Sequence, residues 1–284
     1  MNNIEVFKLQ CKAKIGDKEA LYELGQCYLF GIGLPFDIQK AYEHIEKAKA
    51  KGMPEAEQCI KDTFEVHNDG NVSFSSEFDK MYDSLKKMMT ASERGDPYAQ
   101  WMRGFGKLDD KSSEYMFNRG LYWVRKSAEQ HFPPAQCSLG IVYCKGDRIK
   151  GKTEEGLKLV KESAQRMWMP AIKYLASRFS IATVLPLLEE KVNEGDLEAI
   201  GMLGNAYLQG NDVEQDVDKG ITLIRRAADG GDKIAMYNLA LIYDTGLYGV
   251  EKDLNKAIPY YEMCAKEGDV DAMNRLREIY KAVE

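Results

Sequence analysis

Eight alanines recur at near-constant intervals: Ala20, Ala56, Ala99, Ala135, Ala171, Ala199, Ala235 and Ala272. The steps between them are 36, 43, 36, 36, 28, 36 and 37 residues. Self-similarity at such a period marks a solenoid, in which each repeat buries its apolar face against its neighbours. Four residues after each alanine stands a branched apolar residue: Leu24, Ile60, Leu139, Leu175, Leu203, Leu239 and Leu276, with Arg103 the exception. Eight residues after it stands an aromatic: Tyr28, Phe64, Tyr143, Phe179, Tyr207, Tyr243 and Tyr280, with Lys107 the exception. Offsets of zero, four and eight lie on one helical face, which predicts a first helix in every repeat.

A glycine-containing stretch ends that helix, as in GIGLPFD from Gly31 or TGLYGVEKD from Thr245. A second helix follows, carrying Lys40-Ala41, Lys219-Gly220 and Lys256-Ala257. Gly-Asp steps then close repeats at Gly16, Gly95, Gly195, Gly231 and Gly268. Glycine suits a helix C-terminal turn, and aspartate caps the helix that follows. Small residues five after the register alanine (Gly25, Gly104, Gly140, Gly204) permit close approach of paired helices.

The pattern A-x-x-x-L-G-x-x-Y, the glycine turn, D-x-x-K-A and the terminal A-x-x-G-D-x-x-A resembles the Sel-one-like repeat family, a relative of the tetratricopeptide repeat. The resemblance runs from Gly16 to Glu284. It implies an all-α, right-handed superhelical solenoid of antiparallel helix pairs. We expect at least fourteen helices and no sheet. The boundaries read as one solenoid over 1–284, with repeats at 16–51, 52–94, 95–130, 131–166, 167–194, 195–230 and 231–267 and a capping helix within 268–284. The second repeat carries an insertion at 66–77 whose Asn, Asp, Gly and Ser content predicts a mobile loop. The fifth is short, with only SIAT between Phe179 and Val184.

Composition narrows the function. A formal charge of −6 argues against phosphate-backbone binding, so no nucleic acid partner is expected. The N-terminal segment lacks a signal-peptide core, and no segment is long enough to span a bilayer, which predicts a cytoplasmic chain without a membrane partner. Cys137 and Cys144 lie seven apart on one predicted helix, ~10 Å by rise, too far for a disulfide. The six cysteines therefore read as free thiols.

Gly146–Thr153 fits the phosphate-loop pattern G-x-x-x-x-G-K-[ST]. It follows a predicted helix rather than a strand and falls where other repeats have their inter-helix turn, so no nucleotide site is assigned. His44, His67 and His131 form no metal-ligand pattern, and His131 fills the slot of the repeat glycine. No metal, cofactor or catalytic residue is expected.

By the tetratricopeptide resemblance, first helices line a concave groove. Its slots, two residues either side of the recurring leucine, supply Tyr22, Gln26, Trp101, Phe105, Ile141, Asn205 and Tyr237. Two readings stand for the apolar members: interhelix packing, or an aromatic track that grips a partner. Arg103 and Lys107 are either exposed by a local register shift, the preferred reading, or recruited to a ligand carboxylate. The expected function is a non-catalytic scaffold for a protein or peptide, of the adaptor or effector-neutralising immunity type that the resemblance implies among bacteria. The alternative is a hydrolase of β-lactamase-like or NTPase type. Oligomeric state is not readable.

Overall fold

The structure is a computed structural model that describes residues 1, 3–210 and 212–283. Asn2, Asn211 and Glu284, which belong to the N-terminal segment, the sixth turn and the capping segment, lie outside the described residues. The described residues form sixteen α-helices and one hairpin. In order these are α1 (Asn3–Lys14), α2 (Lys18–Phe30), α3 (Ile38–Ala50), α4 (Pro54–Thr63), β1 (Phe64–Val66), β2 (Val72–Phe74), α5 (Ser76–Glu93), α6 (Pro97–Phe105), α7 (Glu114–Glu129), α8 (Pro133–Lys145) and α9 (Thr153–Gln165). They continue as α10 (Met169–Arg178), α11 (Leu185–Glu194), α12 (Leu197–Gln209), α13 (Val217–Asp229), α14 (Lys233–Thr245), α15 (Leu254–Lys266) and α16 (Val270–Val283). Helices pack on their sequence neighbours as antiparallel pairs. The chain forms two compact units, Met1–Gly156 and Leu157–Glu284.

All eight register alanines are buried. Five of them also receive the helix cap. The carboxylates of Asp17, Asp96, Asp196, Asp232 and Asp269 accept the backbone N–H of Ala20, Ala99, Ala199, Ala235 and Ala272 at 2.7–2.9 Å. The preceding glycines all have φ between 85° and 103°, the left-handed turn that ends a helix. His131 and Met167 adopt the same conformation at φ 59° and 61°, which accounts for the histidine as a turn residue.

Gly104 and Gly120 show why small residues recur between paired helices. A Cβ on Gly104 would lie 2.4 Å from the Gly120 carbonyl oxygen, and one on Gly120 would lie 2.7 Å from that of Gly104. Helices α6 and α7 meet backbone to backbone.

Three expectations need correction. The insertion is not a featureless loop: β1 and β2 pair antiparallel, Phe64 opposite Phe74 and Val66 opposite Val72. Phe74 then packs against Tyr82, Phe78 and Phe36 at centroid distances of 4.6, 5.3 and 6.2 Å. Its alternating apolar residues found an aromatic surface to cover, so the "no sheet" expectation fails. In the short repeat, α10 stops at Arg178, and Phe179 falls outside the helix, 53% exposed, rather than on its apolar face. The register shift around Arg103 does not occur either. Arg103 stays in phase on α6 and is 6% exposed, because Glu93, Ser92 and Trp123 surround it.

The phosphate-loop match is a helix–turn–helix. Helix α8 runs to Lys145, Gly146 caps it at φ 67°, and α9 starts at Thr153. Lys152 pairs with Glu155 at 2.8 Å and lies over the Tyr143 ring.

Candidate functional site

Two features of the N-terminal unit stand out, and both involve α6. The first is an aromatic stripe. Tyr98, Trp101 and Phe105 follow helical spacing along one face. Their rings sit 6.0 Å (Tyr98–Trp101) and 5.0 Å (Trp101–Phe105) apart, and Phe132 meets Trp101 at 6.1 Å. The Trp101 indole N–H donates to Ser138 Oγ on α8 at 3.1 Å, so this ring is partly structural. Tyr98 and Phe105 are 58% and 45% exposed. Ile141, one turn past Ser138, is half-buried.

The second is a charged cluster on the opposite side of the same helix. Glu23 on α2 accepts from Arg119 at 2.5 Å and from the Tyr115 hydroxyl, both on α7. Glu93 on α5 accepts from Arg103 at 2.9 Å, and the same guanidinium nitrogen reaches Ser92 Oγ at 2.9 Å. The Arg103 guanidinium lies 3.9 Å from the Trp123 ring centre. Burial and nearby Arg119 lower the Arg103 pKa, against the pull of Glu93. Burial is also the largest influence against the charge of Arg119, but Glu23 together with its other neighbours, Glu93 among them, raises that pKa. Burial and the charge of Glu23 hold the Tyr115 hydroxyl firmly protonated.

Lys107 is the odd member. Its ammonium donates to the Arg103 carbonyl at 2.8 Å and forms no salt bridge among the described residues. Burial, then the charges of Arg103 and Arg119, bring its pKa down to about 8. Cys27, buried near Glu23 and Glu93, has its thiol pushed up to about 12, so it is inert.

Two cavities border this cluster, and a third opens on the far side of Tyr22. An inner one of about 240 Å³ is lined by Arg103, Lys107, Arg119, Glu23, Tyr22, Tyr115, Trp123 and a run of methionines. An outer one of about 650 Å³ shares Glu23, Tyr115, Arg119 and Trp123 but carries five glutamates against Arg119, Lys126 and the Met1 ammonium, which pairs with Glu93 at 2.8 Å. A cleft of about 810 Å³ is lined by Tyr22, Gln26, Glu55, Cys59, Asp62 and Asp110 among others.

Of the residues singled out in the sequence, the structure joins Trp101 directly to Phe105. Tyr22 stands edge-on to Tyr115 at 6.0 Å. Gln26 donates to Cys59 Sγ at 3.4 Å. Asn205 and Tyr237 belong to the C-terminal unit, where Asn205 accepts from Asn238 at 3.4 Å and Tyr237 stands edge-on to Tyr261 at 5.8 Å. Among the described residues, no group of three or more His, Cys, Asp or Glu is arranged to hold a metal, and no helix is long and apolar enough to cross a membrane.

The profile of the Sel1 repeat matches residues 18–53, 113–132, 133–166, 197–232 and 233–269, more than half of the chain. The chain belongs to the Sel1 repeat family. A Sel1 repeat protein from Oxalobacter formigenes has the same fold, at 24% identity and TM-score 0.54 over 96% of this chain and 80% of that one. A protective antigen of uropathogenic Escherichia coli with an SLR fold aligns at 26% identity and TM-score 0.52, covering 96% of this chain and 59% of that one. Among curated proteins, an uncharacterised protein of Neisseria meningitidis is 26% identical over 68% of this chain. An ERAD-associated E3 ubiquitin-protein ligase component of Arabidopsis thaliana is 24% identical over 87% of it. The chain spans 42% and 33% of the length of these two relatives.

The Sel1 repeat profile passes over residues 54–112, which hold the hairpin, the aromatic stripe, Arg103 and Lys107. Those two cations were the visible signal. What surrounds them was not legible: Ser92 and Glu93 on α5 and Trp123 on α7 hold Arg103, and Lys107 donates to the Arg103 carbonyl.

Proposed function

We propose that this Sel1 repeat protein is a non-catalytic protein-interaction scaffold whose partner docks on the N-terminal unit along α6. The observation that carries the reading is the exposed stripe of Tyr98, Met102 and Phe105 beside half-buried Trp101. Clustered aromatics with open rings supply large contact area and dominate binding hot spots. The stripe also lies where the chain departs from the repeat profile, the place where partner choice belongs in an otherwise regular array. That a relative is a component of a ligase supports a scaffold role of the adaptor kind. Phe105 is the better anchor than Trp101, whose indole is already engaged with Ser138.

The test places a photo-crosslinking phenylalanine analogue at Phe105 and, as a control, at exposed Phe179 in the C-terminal unit. One stoichiometric protein adduct at Phe105 and none at Phe179 is expected. Phe105→Ala should then weaken the adduct partner by roughly thirtyfold at an unchanged melting temperature. Equal labelling at both positions, or a partner indifferent to Phe105→Ala, would overturn the proposal.

A further inference from the structure

The inner cavity reverses the charge of its surroundings. The outer cavity carries five carboxylates against three cations, Arg119, Lys126 and the Met1 ammonium, whereas the inner one is lined by three cations and one carboxylate. Two of the three cations are spoken for: Arg119 by Glu23, and Arg103 by Glu93 just behind it. Lys107 uses one N–H on a backbone carbonyl and has two to spare. The remaining walls suit an apolar stem. Phe30, Leu85, Met88, Met89 and Met102 line the same space, and methionine adapts to irregular shapes. Trp123, 3% exposed on that wall, has an indole N–H with no acceptor among the described residues. A cavity holding an unpaired cation, a spare donor and an apolar floor is one negative charge short of balance.

We propose that this cavity binds a monocarboxylate on an apolar stem, with Lys107 as the ion-pairing group. An ammonium paired to a carboxylate in a partly desolvated site resists deprotonation, so binding raises the Lys107 pKa from its depressed value and takes up a proton above pH 8. The carboxylate has two sources: a glutamate side chain of the segment docked on α6, or a free organic acid.

The test uses the full chain with 4-phenylbutyrate and its uncharged counterpart 4-phenylbutan-1-ol, followed by calorimetry and by NMR of 13C-labelled lysine. The acid is expected to bind about tenfold or more tightly than the alcohol at pH 7. Lys107→Met should abolish that preference and Lys107→Arg should keep most of it. Saturation with the acid should shift the Lys107 titration upward. Equal affinity for acid and alcohol, or an unchanged preference in a folded Lys107→Met variant, would overturn the site. Should that variant not fold, an unmoved Lys107 titration in the unaltered chain does so. The probes need no protein partner, so failure here is distinct from failure of the docking reading. Loss of the Phe105 crosslink under saturating acid assigns the carboxylate to the docked segment, and an undisturbed crosslink assigns it to a free acid; either result upholds the site.

Discussion

Gly104→Ala offers a sharp test of how α6 and α7 meet. The new methyl would sit 2.4 Å from the Gly120 carbonyl oxygen and 2.8 Å from Val124 Cγ2. Side chains can turn away, but a helix carbonyl cannot, so the two helices must separate by several tenths of an ångström. Overpacking of this kind costs ~3 kcal/mol when backbone must move. The better helix propensity of alanine returns ~1 kcal/mol, leaving a net loss of about 2 kcal/mol. With a urea slope of about 2 kcal/mol/M, the unfolding midpoint should fall by about 1 M. Trp101 and Trp123 stand on the two helices and report the transition by fluorescence. Gly106→Ala is the internal control, since its Cβ would meet nothing within 4 Å. Combining Gly104→Ala with Gly120→Ala should cost less than the sum, because one displacement of the helices relieves both clashes. A Gly104→Ala midpoint no lower than that of Gly106→Ala would refute the close-contact argument.

Arg103→Leu restores the repeat's usual residue yet should destabilise by about 1–2 kcal/mol in a denaturation series, because Ser92 and Glu93 lose the guanidinium and Glu93 keeps only the Met1 ammonium. Asp244, 7% exposed, is held below the usual carboxylate pKa first by hydrogen bonds from Arg275, against the cost of burial. Its contribution is therefore fully present above pH ~4, the unfolded carboxylate's range, and lost as pH falls through the lowered native pKa, so Asp244→Asn should cost about 2 kcal/mol at pH 7 and progressively less in melts at more acid pH. Phe74→Ala should loosen the hairpin from Tyr82 and Phe78 and speed proteolysis, while in the unaltered chain cutting should stay within the exposed tip at 67–71. Lys152→Ala removes an exposed pair to Glu155 and should leave the melting temperature within a degree or two.

The alanine register made the helical pairs legible because one spacing governs packing and capping together. What it concealed follows from the same regularity. The hairpin was present as alternation in Phe64-Glu65-Val66 and Val72-Ser73-Phe74, but its Asn-Asp-Gly-Asn centre dominated and read as loop. The aromatic pocket that holds Phe74 is assembled from α3's approach and α5, which no local window contains. Arg103 and Lys107 were visible as exceptions, and their retention in the core was not, since Glu93, Ser92 and Trp123 decide it from other helices. Trp101 and Phe105 meet because residues four apart share one helix face; whether that face meets a partner is what the crosslinking at Phe105 tests.

The left-handed glycine followed by a capping aspartate also determines which edits the chain can survive. Excising residues 196–231 would splice Gly195, at φ 87°, directly onto Asp232, whose carboxylate already caps Ala235. The seam would reproduce the junction that was cut, with the same backbone turn and the same capping bond. A cut of half that length would instead join a helix end to a residue with neither property. Such a chain is editable in whole repeats, so lengthening or shortening by recombination meets no local obstacle at these seams. The stretch around Arg103 opens at such a seam, Gly95–Asp96, but its cavity also draws on Tyr22, Glu23 and Phe30 of the first repeat, so a copy of that stretch alone would leave the cavity behind.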